Sequence, residues 1–187
     1  MPFIRECIIT TYRHDGSAHV APMGVHVLED SLMVAPFKPS TTLDNLQRDG
    51  VAVINQTDDV RVYAGCVTGR RDWPTHPAEI LNAPRLADCL AHTEIAVDHI
   101  EDDVLRPRFY CRIVHQANHH PFQGYNRAQA AVIEAAILAT RLGMLEREKI
   151  VREIQYLSIA IERTAGPLEL EAWEWLMQVM TAYRGAV

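Results

Sequence analysis

Three consecutive hydroxyls, Ser40-Thr41-Thr42, stand ahead of a segment with helical spacing, in which Leu43 and Leu46 lie three apart and Gly50 follows as a stop. At a helix start, such side chains and the first-turn N–H groups, which have no partner inside the helix, converge on one point. The helix dipole favours an anion there. A phosphate suits that chemistry. Lys38 adds a point charge just upstream, and Asn45, one turn in, adds an amide. The same residues also make an ordinary N-cap, so the spacing alone leaves both roles open.

A second stretch, Val20-Ala21-Pro22-Met23-Gly24-Val25, reads as a strand interrupted by a proline and a glycine. Proline removes a ladder donor and glycine permits close approach to the backbone, which suits a flat ligand lying on main chain; a β-bulge or a bent edge would use the same residues. His115, His119 and His120 crowd the segment VHQANHHP, where residues 115 and 119 share a face if the chain is extended. Two imidazoles on one face could bind a haem or a metal, or donate protons beside a redox cofactor. Spacing places no third ligand, so no metal ligand set is assigned, and strand-end histidines making hydrogen bonds are the other reading. Glu79, Glu94 and the run Glu101-Asp102-Asp103 read as solvated charges rather than acid–base pairs. No residue is assigned a catalytic role. Neither HExxH, a Walker loop, GxSxG nor GxGxxG occurs, which removes the usual zinc-protease, nucleotide-hydrolase, serine-hydrolase and Rossmann readings.

Composition narrows the partners. With 18 Lys+Arg against 24 Asp+Glu in 187 residues, the formal net charge is −6, so the electrostatic footprint of a nucleic-acid binder is missing. No uncharged apolar run approaches the roughly 20 residues needed to cross a bilayer, and the N-terminal stretch carries a charged pair where a signal peptide needs a clean apolar run. A soluble, cytoplasmic chain is expected, without membrane or nucleic-acid partners. Cys7, Cys66, Cys89 and Cys111 are far apart and form no CxxC pair; they read as small buried hydrophobes.

The elements that must position these residues change in character near residue 123. Before it, short β-prone runs alternate with turns: Ile4 to Tyr12, an Asp15-Gly16 hairpin turn, His19 to Leu28, Leu32 to Ala35, then the short helix from Ser40, Val51 to Asn55, Thr93 to Ile100 and Phe109 to Ala117. The stretch from Asp58 to Pro84 is irregular. About six strands with short connections favour a small closed antiparallel barrel. After residue 123, Ala, Leu, Glu and Arg recur at helical spacing in three segments, from Asn126, over Glu146 to Arg163, and over Glu169 to Tyr183. The first is apolar around its circumference from Ala130 to Ala139 and must be buried on more than one side. The expected fold class is thus α+β, a barrel over 1–122 and a three-helix appendage over 123–187.

The order HVAPMGV, then PF, TTLDNL and VAVIN, after two strands joined by Asp-Gly, resembles the FMN-binding split barrel of flavin reductases and pyridoxamine-phosphate-oxidase-like proteins. More narrowly, APMGV, PF, TTLDNL and VAVIN, with the helical tail, are similar to the family called domain of unknown function 447. The resemblance implies a homodimeric six-stranded split barrel with FMN near the subunit interface. On the matching positions, Ser40, Thr41 and Thr42 would hold the phosphate with Asn45 supporting their helix. Pro22, Met23 and Gly24 would lie along the isoalloxazine, and Asn55 would reach its polar edge. The Arg or Lys that often accompanies the hydroxyls in pyridoxamine-phosphate-oxidase-like relatives is absent at Thr41 and Thr42, which leaves neutral donors and Lys38. The implied activity is a flavin-dependent oxidoreduction of a small-molecule substrate, with a nicotinamide donor or a reduced pterin as partner. A flavin carrier or sensor without turnover, and a haem- or metal-binding barrel using His115, His119 and His120, are the alternatives.

Overall fold

A computed structural model describes residues 3–183. The chain divides into two compact units, one formed by the residues up to Thr57 together with Asp72–Phe122, the other by Asp58–Arg71 together with the chain from Gln123 onward.

The first unit is a closed antiparallel barrel of six strands, β1 (Phe3–Tyr12), β2 (Ala18–Val27), β3 (Leu32–Val34), β4 (Val51–Gln56), β7 (Ala91–Glu101) and β8 (Arg108–Asn118), in the order β1-β2-β3-β8-β7-β4. The Ile- and Thr-rich β1 pairs with β2 along its whole length, from Phe3 opposite Val27 to Tyr12 opposite Ala18. The hairpin turn needs a residue in the left-handed region, and Gly16 takes it at φ 79°. Asp15 Oδ1 accepts the Ser17 N–H at 2.9 Å and its hydroxyl at 2.6 Å, fixing the turn. Between β3 and β4 lies α1 (Thr41–Asp49), entered through the Ser40 N-cap, whose side chain accepts from the Leu43 N–H, and ended by Gly50 at φ 66°. Leu43 and Leu46 of α1 join Ile9, Val25, Val34, Ile54, Ile95 and Phe109 in the barrel core.

Strand β3 is short and covers only Val25–Val27 of β2. From Ala18 to Gly24, β2 has β1 on one side and no strand on the other among the described residues.

The irregular stretch after β4 holds elements that local pattern does not reveal. β5 (Thr75–Pro77) and β6 (Pro84–Leu86) form a small two-stranded sheet, and α2 (Arg61–Val67) belongs to the second unit. The β-branched and aromatic residues of α2 give it no helical signature in the sequence. It is opened by Asp59, whose Oδ1 accepts the Arg61 N–H at 3.0 Å.

In the second unit α2 is joined by α3 (Arg127–Thr140), α4 (Arg147–Thr164) and α5 (Pro167–Ala182). α3 packs against all three, which is why it is apolar over most of its circumference, with Glu134 on its exposed side: Ala128, Ala131, Val132, Ala135 and Ala136 are buried, and the small size of the alanines lets neighbouring backbones approach. Asn126 caps α3 by accepting from the Ala128 and Gln129 N–H groups, and α5 begins at Pro167, whose missing N–H costs nothing in the first turn of a helix. Among the described residues, no helix is long and apolar enough to cross a membrane.

Candidate functional site

The barrel brings the two stretches singled out in the sequence together through a buried hydrogen bond. His19, at the start of β2, lies with Nε2 3.0 Å from Thr42 Oγ1 in the first turn of α1. Two residues beyond His19, the half-buried Ala21–Gly24 segment begins, with no strand beside it on the β3 side. The start of α1 and that bare stretch of β2 thus form one corner of the barrel.

The hydroxyls and amides divide by task within this corner. Thr42 is 3% exposed and Asn45 2%; Asn45 Nδ2 donates to Thr11 Oγ1 at 2.9 Å and its Oδ1 accepts from Arg48 at 3.3 Å. Both tie α1 to the barrel. Thr41 is exposed, whereas Ser40 is half-buried and its hydroxyl oxygen caps the helix by accepting from the Leu43 N–H at 3.3 Å. Lys38 is half-buried and donates to Asp102 at 2.6 Å, so its charge is shared with a carboxylate. Phe37, Val104 and Leu105 are exposed beside this lysine, whose backbone N–H donates to the Leu105 carbonyl at 2.8 Å.

Pro22 and Met23 stand opposite Ile8 and Cys7 on β1. Gly24 owes its identity at least partly to β1: a Cβ there would meet Ile4 Cγ2 at 3.1 Å and Glu6 Oε1 at 3.4 Å. Asn55 is fully buried, its Nδ2 donating to the Ile8 carbonyl at 3.1 Å and Thr10 Oγ1 at 3.0 Å, its Oδ1 accepting the Leu86 N–H at 2.8 Å. Its carboxamide is committed to joining β4, β1 and β6. Cys7, Cys66, Cys89 and Cys111 are buried and form no disulfide, and burial pushes the Cys7 and Cys111 thiols up to about 12, too high for nucleophiles.

A second polar cluster sits where β7 meets β8. Glu94, expected as a solvated charge, is fully buried on β7. Its carboxylate accepts three successive backbone N–H groups: Glu79 at 2.7 Å, Ile80 at 3.1 Å and Leu81 at 2.6 Å. Burial pushes its pKa up, but these donors and the His92 ring outweigh it and hold the carboxyl below its ordinary value. His92, two residues earlier on the same face and 1% exposed, places Nε2 3.4 Å from Glu94 Oε1 and Nδ1 2.8 Å from His119 Nε2. His115 Nε2 lies 3.0 Å from Glu79 Oε2.

The three histidines read from sequence therefore do not converge. His115 and His119 both reach His92, with ring centroids 5.9 and 5.1 Å away, whereas the His120 side chain is 61% exposed and 3.8 Å from Asp88. Burial, followed by the charge of Arg85, lowers the pKa of His119. His92 and Glu79 were not legible as companions of the other two, because only the β7–β8 pairing and the 79–81 strap bring them in.

Among solved structures, an FMN-bound protein from Methanosarcina mazei, assigned to the DUF447 family, matches with TM-score 0.83 at 18% identity over 96% of each chain. A flavoredoxin from Methanosarcina acetivorans matches with TM-score 0.55 at 18% identity over 64% of this chain and 69% of its own. The styrene monooxygenase flavin reductase of Pseudomonas putida S12 matches with TM-score 0.52 at 12% identity over 60% and 77%. At these identities the likeness establishes the fold. The comparison with curated proteins gives no match. The N-terminal domain model of the proteins of unknown function called DUF447 matches residues 5–120 and the companion model matches residues 126–178, and the chain belongs to that family.

Proposed function

We propose that this chain binds FMN at the corner between β2 and α1 and works as a flavin-dependent oxidoreductase. The observation that carries the reading is the His19–Thr42 hydrogen bond at 3.0 Å, which sets the helix start beside a length of β2 that, among the described residues, has no strand on its β3 side. The residues fit the group: Ser40, Thr41 and the first-turn N–H groups offer neutral donors to a phosphate, and the helix dipole adds to them. Lys38, already paired with Asp102, adds a screened charge. Thr42 and Asn45 hold that helix in place, and Pro22, Met23 and Gly24 would lie along the isoalloxazine. Asn55 supports the row beneath, since Pro22, Ile8, Asn55 and His92 are successive partners across the sheet. The FMN-bound family member and the flavoredoxin and flavin reductase neighbours support this choice of cofactor.

When bound, FMN supplies the electron chemistry; the protein binds it, orients it and limits access. A nicotinamide is the proposed electron donor, or a reduced pterin the small-molecule substrate. A homodimer fits the exposed Phe37, Val104 and Leu105 beside the corner, where a second subunit would close the cofactor in. The cytoplasm is the proposed compartment, in keeping with four cysteines that form no disulfide.

The test is anaerobic mixing of the FMN-loaded protein with NADH and NADPH while the oxidised flavin band is followed. Bleaching by either donor at a rate well above that of free FMN is expected. Bound FMN that neither donor reduces would place the chain among flavin carriers and overturn the nicotinamide-dependent reading.

A further inference from the structure

We propose that Glu79, His92 and His115 form a binding site for a divalent transition-metal cation of the zinc class, separate from the flavin corner. Among the described residues, these three offer one imidazole nitrogen each from the histidines and one carboxylate oxygen, all within 4.8 Å of one another. A four-coordinate cation with ligand bonds of about 2.0–2.2 Å holds its ligand atoms about 3.3 Å apart, so the group needs contraction by small side-chain movements. Glu79 can supply them, because its side chain is 49% exposed and flexible. Two imidazoles and a carboxylate suit zinc, cobalt(II) or iron(II), and do not suit calcium or magnesium, which prefer all-oxygen sets.

Glu94 is the independent observation that points to a ligand. A metal-bound histidine almost always gives its other ring N–H to a carboxylate or carbonyl, which fixes the tautomer and the ring orientation. Here a fully buried carboxylate faces His92 Nε2 at 3.4 Å, which leaves Nδ1, hydrogen-bonded to His119 Nε2 at 2.8 Å until a cation takes that place, as the nitrogen to bind. The same carboxylate grips the backbone N–H groups of Glu79, Ile80 and Leu81, and so sets where the Glu79 side chain begins. A single buried anion thereby orients one ligand and positions another. A purely structural strap would account for the three backbone bonds but not for the pair of further rings on His92. His119 Nε2, 2.8 Å from His92 Nδ1, stands in the place of a further ligand. The exposed side of Glu79 leaves room for water.

The test uses tag-free full-length protein stripped with a chelator and titrated with Zn²⁺ by calorimetry, and with Co²⁺ in flavin-free protein so that its visible d–d bands can be read. One equivalent binding with micromolar or better affinity is expected, with tetrahedral-type bands for Co²⁺. His115→Ala and Glu79→Gln, both at partly exposed side chains, should each weaken Zn²⁺ binding at least tenfold, and the double variant should abolish it. FMN uptake and the thermal melting temperature of these variants should stay unchanged, which separates failure at this site from failure at the flavin corner. Absence of saturable Zn²⁺ binding by the unmodified protein overturns the proposal, as does undiminished binding by the double variant.

Discussion

His19 Nε2 and Thr42 Oγ1 stand 3.0 Å apart in a buried contact that ties the beginning of β2 to the first turn of α1. The two residues are 23 positions apart in sequence, and neither the strand nor the helix needs the other to form. Their juxtaposition brings an N-cap and a strand open on its β3 side into one corner of the barrel, the place proposed for a phosphate and a flat ring.

Thr42→Val keeps the shape and removes the hydroxyl. The loss of a hydrogen bond in a buried setting costs about 1–3 kcal/mol, to be measured by urea denaturation, and FMN affinity should fall with it as α1 loosens. Thr41→Val should leave stability within about 0.5 kcal/mol of the parent, because Thr41 is exposed. A Thr42→Val protein as stable as the parent would show that the contact holds nothing.

Asn55→Ala deletes an amide that bonds the Ile8 carbonyl, Thr10 Oγ1 and the Leu86 N–H from a fully buried position. It leaves buried groups without this partner, so a loss of about 2–3 kcal/mol in urea-denaturation stability is expected. An effect under about 0.5 kcal/mol would mean that the β4–β6 connection rests on other contacts.

Glu94 makes stability depend on acid. In the folded protein its carboxyl is held below the ordinary value, and in the unfolded chain it titrates near about 4.3. The unfolded state therefore takes up the proton first as pH falls. The stability from Glu94 is complete above the unfolded value and is lost as pH drops through the folded one. Urea midpoints measured between pH 7 and pH 3 should decline more steeply for the parent than for Glu94→Gln over the acidic part of that range. Parallel curves would contradict the assignment.

Local signals carried much of the architecture. Ser40 and Gly50 bracket α1 with a hydroxyl and a left-handed glycine, Asp15-Gly16 marks the first hairpin, and the circumferential apolarity of α3 announces its three neighbours. What local pattern lacks is anything set by a distant partner. The burial of Glu94 depends on three N–H groups from residues 79–81, thirteen to fifteen positions away, and nothing beside Glu94 in sequence signals them. His92 is a solitary histidine in its part of the strand until β8 delivers His115 opposite Glu94 and Ala117 opposite His92. The helix α2 lies in the stretch read as irregular, since Val62, Tyr63 and Val67 are strand-prone and the partners that receive it are distant in sequence: Val60 and Ala64 join residues of α3 and α5 in the core of the second unit. Within the proposed flavin corner, the division between exposed Thr41 and buried Thr42 was not legible, since it depends on which face of α1 meets the barrel.

The central claim is that the start of α1 holds the phosphate of FMN, and the direct measurement is a paired fluorescence-quenching titration of the flavin-free protein with FMN and with riboflavin, which lacks the phosphate. FMN should bind at least about tenfold more tightly, a difference of about 1.4 kcal/mol, and Thr41→Val should narrow that gap by weakening FMN alone. Equal affinity for the two flavins, or a gap untouched by Thr41→Val, would contradict the account.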